Sequence, residues 1–241
     1  MVIRSEMIDI HSHILPGIDD GARTLAGSVE IVRDLVSQGV TEIIATPHYV
    51  DETIFMSPCS KNLELLKELR KELVSEGIEA KIYLGNEIYI NSRIKELIKE
   101  REITTLAGSK YLLVELPLDE EYPNYEDYLR DLINHGFKVV LAHPERYRIA
   151  KDEEVLQNLL EMGVLFQCNM GSILGKYGKE AQKLVKKMAK EKMIFTFGSD
   201  IHHPNKNNFL VLARKKLLKY YSESELNKLL VINPRKILAK A

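Results

Sequence analysis

The chain has 241 residues, of which 45% are hydrophobic and 29% are charged, a composition typical of a soluble globular protein with one sizeable core. Its formal net charge of −1 gives no electrostatic basis for binding nucleic acid or an anionic membrane surface. Two cysteines cannot form a disulfide framework, and there is no signal-peptide pattern or membrane-spanning apolar run. We therefore expect a single cytoplasmic α/β domain covering residues 1–241.

Strand-like apolar runs alternate with helical patterns along the whole chain. Seven strands are predicted, at residues 7–10, 41–46, 80–84, 111–114, 138–142, 164–168 and 193–197. Helices are predicted between and after them, at residues 28–38, 60–75, 91–99, 125–134, 152–162, 180–190, 207–219 and 222–230.

This alternation indicates a parallel sheet with right-handed crossovers. An open doubly wound sheet collects its functional groups at one switch point, whereas a barrel collects them from the carboxyl ends of all strands. Six of the seven predicted strands, all but the sixth, end on a potential ligand. The sequence therefore favours a (β/α) barrel with seven strands.

The strand ends carry a set of histidines and carboxylates. His11 and His13 are two residues apart on an extended chain, so both imidazoles project to the same side. Five of the seven histidines in the chain fall at such ends. With Asp20 from the loop after the first strand, the candidate metal ligands are His11, His13, Asp20, His48, Glu87, Glu115, His143, Asp200 and His202.

Imidazole and carboxylate ligands without thiolate suit manganese, iron, cobalt or zinc better than calcium or magnesium. Nine ligands are too many for one ion, so two or three divalent ions are expected, bridged by carboxylates such as Glu87. Four carboxylates contribute −4 and three divalent ions +6, which leaves about +2 to attract a phosphate dianion. The pattern therefore predicts hydrolysis of a phosphate ester.

Arg146, three residues after His143, can hold phosphoryl oxygens bidentately or form a surface ion pair with Glu145 or Asp152, and we favour the phosphate role.

The sequence also supports predictions for five other residues. Tyr147 is either a pocket wall or a packing residue, and His203 is either a support for His202 or exposed. We expect His135 to cap a helix, Cys168 to lie in the core, and Cys59 to lie in a polar loop without a role.

Several stretches together resemble the polymerase-and-histidinol-phosphatase (PHP) superfamily, and within it the bacterial manganese-dependent tyrosine-protein phosphatases of capsule and exopolysaccharide synthesis. The similarity extends from the first strand to residues 233–236, almost the whole chain. The matching stretches are DIHSH at 9–13, GIDDG at 17–21, ATPHY at 45–49, GNE at 85–87, ELP at 115–117, AHPERY at 142–147 and GSDIH at 198–202.

The resemblance implies a distorted seven-stranded barrel with a trinuclear metal site, in which a metal-bridging hydroxide attacks the phosphorus of phosphotyrosine in proteins. A cognate tyrosine kinase is the implied substrate, and manganese the implied metal. The nine ligands carry over, with catalytic roles for Arg146, Asp200 and His202. Relatives often have a second arginine shortly after the Asp-x-His motif, where this chain offers Lys206, which lacks the planar guanidinium fork. Arg146 and Lys206 are thus the expected substrate-binding residues, and an oligomer is possible.

Three other functions remain open. A phosphatase for a small molecule such as histidinol phosphate would use the same metal site and differ in the rim loops, at about residues 117–125 and 170–179. A non-catalytic binding domain is disfavoured by the complete ligand set. An amidohydrolase acting on C–N bonds is disfavoured because no predicted strand ends on a lysine.

Overall fold

The computed structural model describes residues 6–53, 55–119, 122–204 and 207–239. Within these ranges all the sheet strands pair in parallel, as the alternation of strands and helices predicts. The strands are β1 (Met7–Ser12), β2 (Val40–Ala45), β3 (His48–Tyr49), β4 (Lys81–Leu84), β5 (Glu87–Tyr89), β6 (Tyr111–Glu115), β7 (Lys138–Ala142), β8 (Leu165–Asn169) and β9 (Ile194–Gly198).

Helices follow the strands as predicted, with two additions, α6 and α10. They are α1 (Leu25–Ser37), α2 (Cys59–Ser75), α3 (Ile94–Lys99), α4 (Tyr125–Asn134), α5 (Glu153–Met162), α6 (Met170–Leu174), α7 (Gly178–Lys190), α8 (Phe209–Leu217), α9 (Glu223–Asn227) and α10 (Asn233–Leu238). The predicted helix at 222–230 is wrong at its end, because Lys228–Ile232 forms a π-helical segment that leads into α10. No helix among the described residues is long and apolar enough to cross a membrane.

The strands form a three-stranded sheet in the order β1-β2-β4 and a six-stranded sheet in the order β3-β5-β6-β7-β8-β9. The predicted second and third strands correspond to β2 and β4. After each of them the chain is divided from its first sheet and forms a short strand of the other sheet that was not predicted, β3 or β5. The first division falls at Pro47, which has no N–H to donate to a ladder. The second falls at Gly85, where a Cβ atom would lie 2.9 Å from the Leu106 side chain. A parallel bridge between Ser12 and Ile201 brings the end of β1 beside the segment after β9.

The strands are buried on both faces, as expected when helices cover a parallel sheet. In β7, Val139 and Leu141 belong to the large core cluster, and the alternate residues Val140 and Ala142 belong to a smaller one. Ile237 of α10 also packs in the smaller cluster. Polar side chains are therefore displaced to the strand ends, where the functional residues lie.

Three minor predictions can be compared with the structure. Cys168 is buried in β8, and His135 caps the end of α4 with its backbone N–H bonded to the Asp131 carbonyl oxygen, so both predictions are confirmed. The loop assignment of Cys59 is wrong, because this residue begins α2.

Candidate metal centre

All nine predicted ligands converge at the carboxyl ends of the strands. Their nitrogen and oxygen atoms form four overlapping groups, and within each group the atoms lie within 4.8 Å of one another. The groups are His13 with Asp20, His48 and His202; His11 with Glu87 and His143; His11 with His13 and Asp200; and His48 with Glu87 and Glu115.

Glu87 lies at the middle of this centre and is fully buried. Its Oε2 atom is 3.1 Å from Nε2 of His11, 3.3 Å from Nε2 of His13 and 3.0 Å from Nδ1 of His48. Its Oε1 atom is 2.9 Å from Nε2 of His143. A carboxylate with both oxygens directed at different imidazoles has the arrangement needed to bridge two cations.

The outer nitrogens of three imidazoles are occupied by hydrogen bonds. His11 Nδ1–H donates to Gln167 Oε1 at 2.7 Å, and His13 Nδ1–H donates to Asp19 Oδ2 at 2.8 Å. In His202, Nδ1–H donates to the carbonyl oxygen of Asp200 at 3.1 Å. Such partners fix the tautomer in which Nε2 carries a lone pair, as in metal-bound histidines.

The Nε2 atoms of His11 and His13 are only 3.3 Å apart and both face Glu87. Two buried lone pairs directed at each other and at a carboxylate require a positive charge between them. The donor set therefore fits divalent cations.

The pKa values show the same demand for positive charge. Burial disfavours the charged form of His11, but the charges of Glu87 and Asp200 outweigh burial and raise its pKa to about 9. The pKa of His13 is also raised well above its ordinary value, against burial, by Asp19 and Glu87. Burial and the charge of Glu87 raise the pKa of Glu115. Without a cation, protons therefore supply part of the positive charge.

Asp200 connects this centre with Arg146. Its Oδ1 atom is 3.5 Å from Nε2 of His11. Its Oδ2 atom accepts hydrogen bonds from Nδ2 of Asn169 at 2.6 Å, from the Tyr177 hydroxyl at 3.1 Å and from Nη1 of Arg146 at 3.1 Å. Arg146 thus pairs with Asp200, and the predicted alternative of a surface ion pair with Glu145 or Asp152 is wrong.

Two of the converging residues have unusual backbone conformations. His143 follows β7 with φ of 33°, and Asp200 follows β9 with φ of 50°, both in the left-handed region. Non-glycine residues there cost on the order of 1–3 kcal/mol and persist where the surrounding structure holds them. The turn at each strand end therefore directs a ligand into the centre at an energetic cost.

Sequence reasoning missed the residues that orient the ligands. Asp19 accepts the backbone N–H groups of Gly21 and His48 in addition to the His13 imidazole. Gln167, the partner of His11, donates in turn to Asn169 Oδ1 at 2.9 Å. The sequence does contain a signal for Gln167 and Asn169, because these two polar residues, two positions apart, interrupt an apolar strand.

A cavity of about 420 Å³ opens onto the centre. Its lining includes candidate metal ligands together with Arg146 and Lys176, and also the apolar side chains of Val50, Phe55 and Leu118 and the ring of Tyr89. The guanidinium of Arg146 lies 4.6 Å from the centre of the Tyr177 ring. The cavity thus has both cationic and apolar walls.

Three further predictions concern the surroundings of the cavity. Tyr147 is buried, donating its hydroxyl to the Ala142 carbonyl oxygen and accepting the Leu116 N–H, which indicates a packing role. His203 is exposed. Lys206, the predicted second phosphate-binding residue, lies outside the described residues.

Known proteins resemble the chain over nearly its whole length. The family profile described as "Capsular polysaccharide synthesis, CpsB/CapC" matches residues 7–239. The tyrosine-protein phosphatase YwqE of Bacillus subtilis is 35% identical over 234 residues, covering 96% of this chain and 91% of that protein. The tyrosine-protein phosphatase CpsB of Streptococcus pneumoniae is 30% identical over 242 residues, covering 96% and 98%.

A solved structure agrees with these matches. It comes from a study of YwqE from B. subtilis and CpsB from S. pneumoniae, described there as metal-dependent tyrosine phosphatases. It superimposes with a TM-score of 0.88 at 34% sequence identity, covering 97% of this chain and 94% of that one. The resemblance seen in the sequence is confirmed, and the chain belongs to the CpsB/CapC family of capsular polysaccharide synthesis proteins.

Proposed function

We propose that this chain is a metal-dependent protein-tyrosine phosphatase that hydrolyses the phosphomonoester of phosphotyrosine. The observation that carries the proposal is a cavity whose lining includes both the histidine–carboxylate centre and Arg146. The histidine–carboxylate centre suits divalent cations, and the Arg146 guanidinium suits phosphoryl oxygens. The family relationship supports the same activity.

Two or three divalent ions would be held by the four groups of residues described above, with Glu87 shared between two of the groups. Manganese is the proposed metal, with iron, cobalt and zinc as alternatives, because the ligands are imidazoles and carboxylates without thiolate. When bound, such ions supply Lewis acidity that activates water and stabilises negative charge on a phosphoryl group.

The protein's own residues would bind and orient the substrate. Arg146 donates one N–H to Asp200 and rests on the Tyr177 ring, which leaves its other donors for phosphoryl oxygens. Asp200 joins the two parts of the site, because one of its oxygens faces His11 and the other holds Arg146. His202, partly exposed at the cavity, has its Nε2 atom 3.3 Å from Oδ1 of Asp20 and would hold a cation together with that carboxylate.

The cavity walls favour an aromatic phosphate ester over a small aliphatic one. Phe55 lies beside His48 with ring centres 5.9 Å apart, and Tyr89 and Leu118 line the same cavity. A phenyl ring gains more than a polar group from contact with such a wall. This observation supports phosphotyrosine over the alternative substrate, histidinol phosphate.

A comparison of substrates tests the proposal. The purified chain, loaded with manganese, is assayed on a phosphotyrosine peptide, on histidinol phosphate and on a short DNA. We expect the highest kcat/KM on the phosphotyrosine peptide and loss of activity with a chelator or with His11→Ala or Asp200→Ala. A preference for histidinol phosphate would overturn the proposed substrate, and activity that survives the chelator would overturn the metal dependence.

The two sheets would form one distorted seven-stranded barrel, in which β2 with β3 and β4 with β5 each count as one strand. The bridge between Ser12 and Ile201 supports closure of such a ring. We also propose a single domain over residues 1–241, with a cognate tyrosine kinase as its phosphotyrosine substrate.

A further inference from the structure

The turn between α6 and α7 brings a second cationic side chain to the cavity. Gly175, with φ of 91°, reverses the chain after α6, so that the Lys176 N–H donates to the Gly171 carbonyl oxygen at 3.1 Å. A Cβ atom on Gly171 would lie 3.0 Å from Cδ of Lys176 and 3.2 Å from Cε2 of Tyr177. The absence of a side chain at Gly171 thus lets both residues pack closely over α6.

Lys176 and Arg146 share one aromatic support. The Lys176 ammonium lies 5.1 Å from the centre of the Tyr177 ring, and the Arg146 guanidinium carbon lies 4.6 Å from it. The ammonium is also 6.0 Å from the centre of the Phe209 ring. Both cations line the cavity that exposes the metal centre.

The charge of Lys176 is not neutralised by an ion pair with any other described residue. Among the described residues, no carboxylate forms an ion pair with its ammonium, whereas Arg146 is paired with Asp200 at 3.1 Å. Burial lowers the pKa of Lys176 and Arg146 lowers it further, while the charge of Asp200 acts in the opposite direction. The ammonium therefore lies within the electrostatic field of the site but is free to pair with an anion that enters it.

A phosphate monoester presents three non-bridging oxygens, and Arg146 has already committed one N–H group to Asp200. An ammonium on a flexible four-carbon stem can reach an oxygen that the guanidinium leaves uncovered. We propose that Lys176 is a second phosphate-binding residue, which contacts the substrate phosphoryl group together with Arg146. This inference rests on the proposed phosphatase function and extends it to a residue outside the motifs that the sequence singled out.

Three variants test the contact. Lys176→Met retains most of the stem that packs on Gly171 but removes the charge, and Lys176→Arg restores a cation. Lys183→Met, at an exposed position of α7 outside the cavity lining and the rim loops, removes the same charge elsewhere. With the manganese-loaded proteins, we would measure kcat and KM on a phosphotyrosine peptide, the competitive inhibition constant of orthophosphate, and orthophosphate binding by calorimetry.

We expect Lys176→Met to raise KM and to weaken orthophosphate binding about tenfold, as for loss of one charge-assisted contact, with a smaller change in kcat. Lys176→Arg should bind orthophosphate nearly as the unmodified protein does, and Lys183→Met should bind it unchanged. Unaltered orthophosphate binding in an active Lys176→Met variant would overturn this inference and leave the phosphatase function intact. Equal weakening by Lys176→Met and Lys183→Met would also overturn it. Absence of both hydrolysis and orthophosphate binding in the unmodified, metal-loaded protein would overturn the phosphatase function as well.

Discussion

The carboxylate of Asp9 accepts the backbone N–H of Ser199 at 2.9 Å, across 190 residues of sequence. The same oxygen accepts the N–H of His11 at 3.3 Å, so one buried side chain joins β1 to the end of β9 next to the candidate ligands His11 and Asp200. Asp9 is not among the residues that line the cavity. Its role is to hold together the two strand ends that carry four of the nine candidate ligands.

We expect Asp9→Ala to destabilise the protein, because two buried N–H groups would lose their acceptor at about 1–3 kcal/mol each. Asp9→Asn retains a carbonyl oxygen in place of Oδ1 and should cost less. Urea unfolding monitored by circular dichroism gives the free energy of unfolding of each variant. Equal stability of Asp9→Ala and the unmodified protein would contradict this account.

Removal of Asp19 should weaken cation binding without removing any ligand. Its Oδ2 atom fixes the tautomer of His13, and partners of this type are worth about 10–100-fold in metal affinity. Calorimetric titration of Asp19→Ala with manganese measures the effect. Asp127→Ala, on an exposed position of α4, is the matched control, and a similar loss in both variants would refute a specific role for Asp19.

The metal-free protein should lose stability as the pH rises. The pKa of His11 is raised from 6.5 to about 9 in the folded chain, so the protonated form stabilises the fold. This contribution is fully present below pH 6.5 and is lost as the pH rises through about 9. Thermal unfolding of chelator-treated protein between these values should show a falling Tm, and His11→Gln should flatten the profile.

Arg146→Ala should lower kcat/KM on phosphotyrosine peptides by about 100-fold or more, because a charge-assisted contact to the transferred phosphoryl group is lost. Arg146→Lys should recover only part of this, since an ammonium cannot form the bidentate fork. Steady-state kinetics with manganese in excess separates the two variants. Full activity of Arg146→Lys would show that charge alone suffices at this position.

Phe55→Ala should reduce the preference for aryl substrates. Loss of a large aromatic contact costs on the order of 1.5–3 kcal/mol when the contact is fully buried, so kcat/KM on an aryl phosphate should fall about tenfold. Hydrolysis of an alkyl phosphate such as glycerol phosphate should change little. Leu63→Ala, at an exposed position on α2, serves as the control. An equal loss of kcat/KM on the aryl and the alkyl phosphate in Phe55→Ala would contradict a selective contact between Phe55 and the aryl group.

The convergence of the candidate ligands could be predicted, because parallel strands bring their carboxyl ends to one rim, so a histidine or carboxylate that ends a strand is already placed there. His48, Glu87 and His143 come from different strands, and the structure brings their ligand atoms to within a few ångström of one another. The parallel pairing of the strands could be predicted from the alternation of strands and helices.

The supporting contacts could not be predicted, because they depend on how separate elements meet. Gln167 reaches His11 across 156 residues, and no spacing in the sequence encodes that pair. The five-residue helix α6 is too short for its apolar periodicity to be recognised. Lys176 follows it, and its position at the cavity depends on the turn at Gly175 and on the packing against Gly171.

The bridge between Ser12 and Ile201 has a consequence for biosynthesis. The first half of the chain contains His11, His13, Asp20, His48, Glu87 and Glu115, but His143, Asp200 and His202 are translated later. A ribosome-bound nascent chain therefore lacks the residues that complete the cation cluster until most of the polypeptide has emerged. Completion of the candidate cation cluster has to wait until the last strand has docked beside the first.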